Sequence, residues 1–103
     1  MRQKKPQSIT VIGKRWFNRG PGNTYHSTQI LIDGAEVHFI PFEYGYDDGY
    51  IQSAQEWLLA NGYLPRAKKY PNTGGHESLW QYCRRMKIAF AYSVADVSRR
   101  KDL

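Results

Sequence analysis

Between Ile9 and Phe42 apolar and polar positions alternate with a period close to two, and two clusters of turn-forming residues interrupt the alternation. Ile9–Asn18 is therefore predicted to be a strand. Thr24–Ile32, rich in β-branched residues, is a second, and Ala35–Phe42 a third, with Pro41 near its end where a missing N–H is tolerable. Gly20-Pro21-Gly22-Asn23 separates the first two strands. Asp33-Gly34 separates the second from the third, and suits a type I′ turn, whose two central residues both need positive φ. With Asp33 and Gly34 as the whole loop, Ile32 falls opposite Ala35, Ile30 opposite Val37 and Thr28 opposite Phe39, an apolar face expected to meet the core. The other face carries Tyr25, Ser27, Gln29 and Leu31 against Glu36, His38, Ile40 and Phe42. Closing the first hairpin between Arg19 and Thr24 sets Val11 beside Ile32 and Phe17 beside His26. Ile9, Val11 and Phe17 then join the core side, and Lys14, Trp16 and Asn18 the outer side.

Beyond Phe42 the period lengthens. Ile51, Ala54, Trp57 and Leu58 recur at spacings of three and four, which predicts a helix from about Asp48 to Asn61. Asp47 or Asp48 is the expected N-cap, Gly62 the left-handed C′ residue, and Pro65 prevents resumption. After a basic linker, Pro65–Gly75, a second helix is predicted over Glu77–Lys87, with Leu79, Trp80, Cys83 and Met86 inward and Gln81, Arg84, Arg85 and Lys87 outward. In Ile88–Val97 large residues alternate with Ala and Ser, the pattern of a fourth strand; a continued helix competes, because Ala favours helix. The expected fold is α+β: an antiparallel sheet of three to four strands in the order β-β-β-α-α-β, with one or two helices on one face and the other face partly open. Residues 1–8 read as a flexible basic arm, 9–98 as a single domain and 99–103 as a frayed basic tail.

Composition narrows the class. The 103 residues include eight Tyr and three Trp, too many large amphipathic rings for a disordered chain. Cys83 is the only cysteine, which excludes an intramolecular disulfide framework and fits a reducing cytoplasm. No apolar run is long enough for a membrane helix, and Met1–Ser8 lacks the apolar core of a signal peptide. The net charge of +6 hides a segregation. Met1–Arg19 holds Arg2, Lys4, Lys5, Lys14, Arg15 and Arg19 and no acid; Gly20–Tyr63 holds Asp33, Glu36, Glu43, Asp47, Asp48 and Glu56 and neither Lys nor Arg. From Leu64 onward basic residues dominate again. Such blocks either form surface fields or are interleaved and neutralised by folding.

Three sets of residues invite a chemical reading. Strand alternation displays Lys14, Trp16 and Tyr25 on the open sheet face with Arg19 at its turn; Gln29 and Ser27 add hydrogen-bonding groups there, and the second helix adds Arg84, Arg85 and Lys87, together with the basic termini. Cations neutralise phosphates while exposed rings stack on unpaired bases, which is how open sheets hold single strands; a cross-strand pair of rings serving only packing is the alternative. The acids Glu43, Asp47, Asp48 and Glu56 could bind a divalent metal for phosphodiester cleavage, although helix capping accounts for Asp47 and Asp48. The histidines His26, His38 and His76 offer no metal set, since the register sends His26 and His38 to opposite faces and only one cysteine is present. His26 is expected to be a packed side chain bonded to a backbone group, and Cys83 a small core hydrophobe. Asn72-Thr73-Gly74-Gly75 precedes a helix but reads as a loop. No nucleophile stands at a diagnostic spacing from a base, so a non-enzyme without cofactor or metal is expected.

The phrases Ile9-Thr10-Val11-Ile12-Gly13-Lys14-Arg15-Trp16-Phe17, Gly22-Asn23-Thr24-Tyr25-His26 and Pro41-Phe42-Glu43-Tyr44-Gly45-Tyr46 resemble small accessory proteins of bacteriophages and mobile elements. The resemblance spans about residues 9–64, implies an accessory product in the cytoplasm of a bacterial host, and brings no activity or functional residue with it. The leading expectation is a basic, non-catalytic protein that contacts DNA or RNA, single-stranded by preference. The alternative is an inhibitor or adaptor of a host nucleic-acid or defence complex (anti-CRISPR-like), contacting its protein partner through the acidic, Tyr-rich segment Glu43, Tyr44, Tyr46, Asp47 and Tyr50. A small metal-dependent nuclease is the third.

Overall fold

A computed structural model describes residues 6–45, 49–65, 67–69 and 76–103. Three strands come first, β1 (Ser8–Asn18), β2 (Asn23–Ile32) and β3 (Ala35–Tyr44). Two helices follow, α1 (Gly49–Ala60) and α2 (Leu79–Met86), then β4 (Ala89–Val97) and a short 3-10 turn at Arg100–Asp102. The strands form one sheet in the order β3-β2-β1-β4, and the fold is α+β with both helices on one face.

The hairpins are antiparallel as expected, but β4 runs parallel to β1. The cause is connectivity: the chain leaves β3 at one edge, crosses the sheet through both helices and re-enters beside β1, a long crossover of the kind parallel pairing requires. Lys87 ends α2 in the left-handed region (φ 58°), its N–H reaching the Arg84 and Cys83 carbonyls. Ala89 N–H then bonds to Gln7 O at 2.9 Å, so the ladder with β1 prevails over a continued helix. The expected start of α2 at Glu77 moves to a capping box in which Ser78 accepts from Gln81 N–H and the Gln81 side chain accepts from Ser78 N–H.

Two registers differ from expectation, with opposite consequences. The first hairpin pairs Asn18 with Asn23, Phe17 with Thr24, Val11 with Ile30 and Ile9 with Ile32. That is two residues from the expected pairing, and an even slip leaves every side chain on its expected face. In the second hairpin Asp33 (φ 51°) and Gly34 (φ 83°) make the tight turn and Ile32 faces Ala35 as expected. Irregularities then follow: Ile30 pairs with His38, Gln29 with Phe39 and Thr28 with Ile40, before a second shift sets Tyr25 against Tyr44 in place of the expected Phe42. Each irregularity inserts a residue and exchanges faces. His38 and Ile40, expected outside, turn toward the helices, and Phe39, expected inside, is exposed. His26 and His38 thus share the covered face, contrary to the expected opposition. Packing is the reason: the His38 ring lies parallel to that of Trp57 on α1 at 4.4 Å, and Val37 joins the core margin.

The core lies between the sheet and α1 and α2, built from Ile9, Val11 and Ile30 against Ile51, Leu58 and Leu79. Tyr82 is buried here too, beside the expected Cys83, whereas Trp80 and Met86 are half-buried. Phe17, expected in the core, is exposed at the end of the ribbon. Gly13 lets α1 close on β1, since a Cβ there would lie 2.5 Å from Tyr50 Cδ2. Thr28 Oγ1 donates to the Tyr50 carbonyl at 3.3 Å.

Candidate functional site

The sheet face away from the helices is the open one, and its residues follow from alternation. β1 presents Ile12, Lys14 and Trp16 there, and β2 presents Tyr25, Ser27, Gln29 and Leu31. Trp16 and Tyr25 are direct partners across the ladder, with ring centroids 5.8 Å apart. Tyr25 lies between two further rings: Phe42 stacks on it at 4.7 Å and Tyr44 meets it edge-on at 5.7 Å. Trp16 and Tyr25 are half-buried, and Tyr44 is 63% exposed. The result is a ring cluster on the sheet face away from α1 and α2, where Tyr44 is exposed but Ser27 is only 2% exposed.

Cations border this cluster. Lys14 is exposed beside Trp16 on β1, and Arg19 is exposed in the turn, where it lines a shallow depression with Trp16, Phe17, Asp96, Val97 and Ser98. Among the described residues no carboxylate pairs with Lys14 or Arg19. The 3-10 turn after β4 brings Arg100 to 4.5 Å above the Phe42 ring, a cation–π contact across the sheet. The acids nearby are engaged elsewhere: Asp96 holds Arg15 at 2.9 Å on the helix-covered side, and Asp102 holds Arg99 at 3.1 Å. Residues 100–102 are thus folded rather than frayed. Phe42 is not singled out by the sequence, and Arg100 only as part of the basic C-terminus. The Arg99-Arg100-Lys101 run was visible as charge, but nothing local indicates that it returns to the sheet.

The other candidate residues are dispersed. Gln29 Nε2 donates to Glu36 Oε1 at 2.8 Å, which occupies its amide on the open face. Arg84, Arg85 and Lys87 belong to α2 and its cap, so the sheet lies between them and the Trp16–Tyr25 cluster. Arg85 is moreover paired with the buried Glu77 carboxylate, and its guanidinium lies 5.6 Å over Tyr82. Arg85 holds the Glu77 carboxyl below the usual carboxylate range against the opposing effect of burial. In the acidic segment Glu43 and Tyr44 are exposed at the end of β3, Tyr50 is a core side chain, and Tyr46, Asp47 and Asp48 lie outside the described residues. Glu56 is exposed on α1. Among the described residues no three His, Cys, Asp or Glu side chains converge as a metal set.

His26 is 1% exposed and bonded at both ring nitrogens, to Gly45 O at 3.1 Å and Ser53 Oγ at 2.8 Å. Because a carbonyl only accepts, Nδ1 carries the proton and, in the neutral ring, Nε2 accepts from the Ser53 hydroxyl. The ring fastens the end of β3 and the start of α1 to β2. Its backbone bond was anticipated; Ser53 was not, because one serine in a helix carries no signal of its own. Among the described residues no helix is long and apolar enough to cross a membrane.

Comparison with protein families, curated proteins and solved structures finds no match to this chain.

Proposed function

We propose that this chain is a non-catalytic protein that binds single-stranded nucleic acid on its open sheet face, through the rings of Trp16, Tyr25, Phe42 and Tyr44 and the cations Lys14, Arg19 and Arg100. The observation that supports the reading is the conjunction on the sheet face away from the helices: stacked rings at the centre, and basic groups without carboxylate partners among the described residues at the rim. Rings supply sequence-tolerant stacking on bases, and cations release counterions from phosphates. Arg84, Arg85 and Lys87 are left out of the surface, being on the far side of the sheet. The resemblance to phage and mobile-element products sets the compartment of this reading as a bacterial cytoplasm.

Fluorescence anisotropy with labelled single-stranded oligonucleotides over a range of salt tests it. Three phosphate contacts give a log–log salt slope of roughly −2 for a single strand. Tyr44→Ala removes an exposed ring and should weaken binding by about 1 kcal/mol or more, whereas Arg84→Ala should leave affinity unchanged. Absence of binding at the lowest salt sinks the proposal. Tyr44→Ala also separates it from contact with a protein partner, in which case partner capture is lost while any oligonucleotide affinity is retained.

A further inference from the structure

The two edges of the sheet are built differently. β3 carries the features that discourage strand addition: two register irregularities, Pro41 within the second, and the charges of Glu36 and Glu43. β4 has neither irregularity nor proline. It pairs with β1 without interruption from Ser8↔Ala89 to Trp16↔Val97, contains no proline, glycine or lysine, and its one charge, Asp96, is engaged by Arg15. Among the described residues no strand lies on its outer side. Tyr92 is 50% and Val94 36% exposed.

The backbone direction of this edge follows from one bond. Ala89 N–H points into the sheet, toward Gln7 O. Alternation then turns the N–H and C=O groups of Phe90, Tyr92, Val94 and Asp96 outward. We infer that β4 is the interface with a second copy of this chain, added antiparallel about a two-fold axis at Ser93. Such an axis places Tyr92 opposite Val94 of the second copy and Phe90 opposite its Asp96, so each exposed apolar side chain of the edge meets the other. All four outward-pointing residues fall in hydrogen-bonded pairs, giving about eight bonds between the copies. Ser93 faces its own symmetry mate in a non-hydrogen-bonded pair, where Cα atoms approach to about 4.5 Å. No like charges are opposed. The small side chains Ala91 and Ala95 pair on the other face. An isologous contact of this kind closes on itself and leaves the defended β3 edges at the ends of an eight-stranded sheet. Antiparallel addition keeps the faces, so both helical layers lie on one side and both open faces on the other. The inference does not depend on what those faces bind.

Analytical ultracentrifugation of the full chain over a wide concentration range is the primary test, and a reversible doubling of mass is expected. Val94→Lys places an ammonium opposite Tyr92 of the second copy and should weaken the dimer about tenfold or more, with circular dichroism unchanged. Ser93→Cys should form a disulfide dimer under mild oxidation, its geometry meeting the Cα separation a disulfide needs. Ala89→Cys should not, because the axis sets Ala89 opposite Val97. Cys83 is buried and does not interfere. A monomer at every concentration overturns the inference, as does a dimer indifferent to Val94→Lys or one that crosslinks equally through Ala89→Cys. Each readout is free of nucleic acid, so the two proposals stand or fall separately.

Discussion

Glu77 is 4% exposed and carries more of the local architecture than its place ahead of a helix suggests. Its carboxylate accepts from Lys68 N–H at 3.0 Å and from Arg85, its own N–H bonds to Lys68 O at 2.7 Å, and its carbonyl accepts from Gln55 on α1 at 2.7 Å. Arg85, chiefly through its hydrogen bond, lowers the carboxyl's pKa. The folded state therefore favours the ionised form. Its contribution to stability is complete above the unfolded glutamate value of about 4.3 and is lost as pH falls through the lower folded value. Glu77→Gln should cost about 2 kcal/mol at neutral pH and flatten the acid limb of stability against pH, as urea titrations across that range would record. At Cys83 burial raises the thiol to about 11. The thiol stays protonated at neutral pH, so a thiol reagent should label it only at the rate of unfolding.

At the scale of elements, turns and caps obey local chemistry while strand faces answer to their neighbours. The αL residue Lys87 is the clearest case of a local cost accepted for connectivity, because the chain must pass from α2 into β4 within two residues. Lys87→Gly relieves the left-handed strain and should stabilise the fold by about 1 kcal/mol, a rise of a few degrees in Tm by calorimetry. The same variant leaves oligonucleotide affinity unaltered if α2 lies outside the binding surface. In β3, by contrast, nothing in the period-two pattern announces the irregularities. They arise where His38 finds Trp57, and where Pro41 has no N–H to give the ladder.

At the scale of the molecule, the charge blocks neither cancel fully nor remain intact. Folding pairs Arg15 with Asp96 and Arg85 with Glu77, both acids coming from the C-terminal block, and leaves Lys14 and Arg19 on the rim of the ring cluster. Arg100 is the residue that only long-range return of the chain could supply. Arg100→Ala should change stability by less than about 1 kcal/mol and reduce the salt slope of single-strand binding by about 0.7. A slope equal to that of the unaltered chain removes Arg100 from the surface.

By itself the sequence determined the elements and most of the face assignments. Alternation places Lys14, Trp16 and Tyr25 together on the open side, and survives a two-residue change in register because the period of a strand is two. Asp33-Gly34 specifies its turn, and Ile51, Ala54 and Leu58 specify the buried stripe of α1. Only the tertiary structure decided that β4 lies parallel to β1, that His38 turns inward, that Tyr50 is core instead of contact surface, and that Arg100 reaches Phe42. These depend on which distant segments meet. Periodicity encodes the side of an element that is buried; the partner that buries it is chosen by packing and by the hydrogen bonds that the crossover must satisfy.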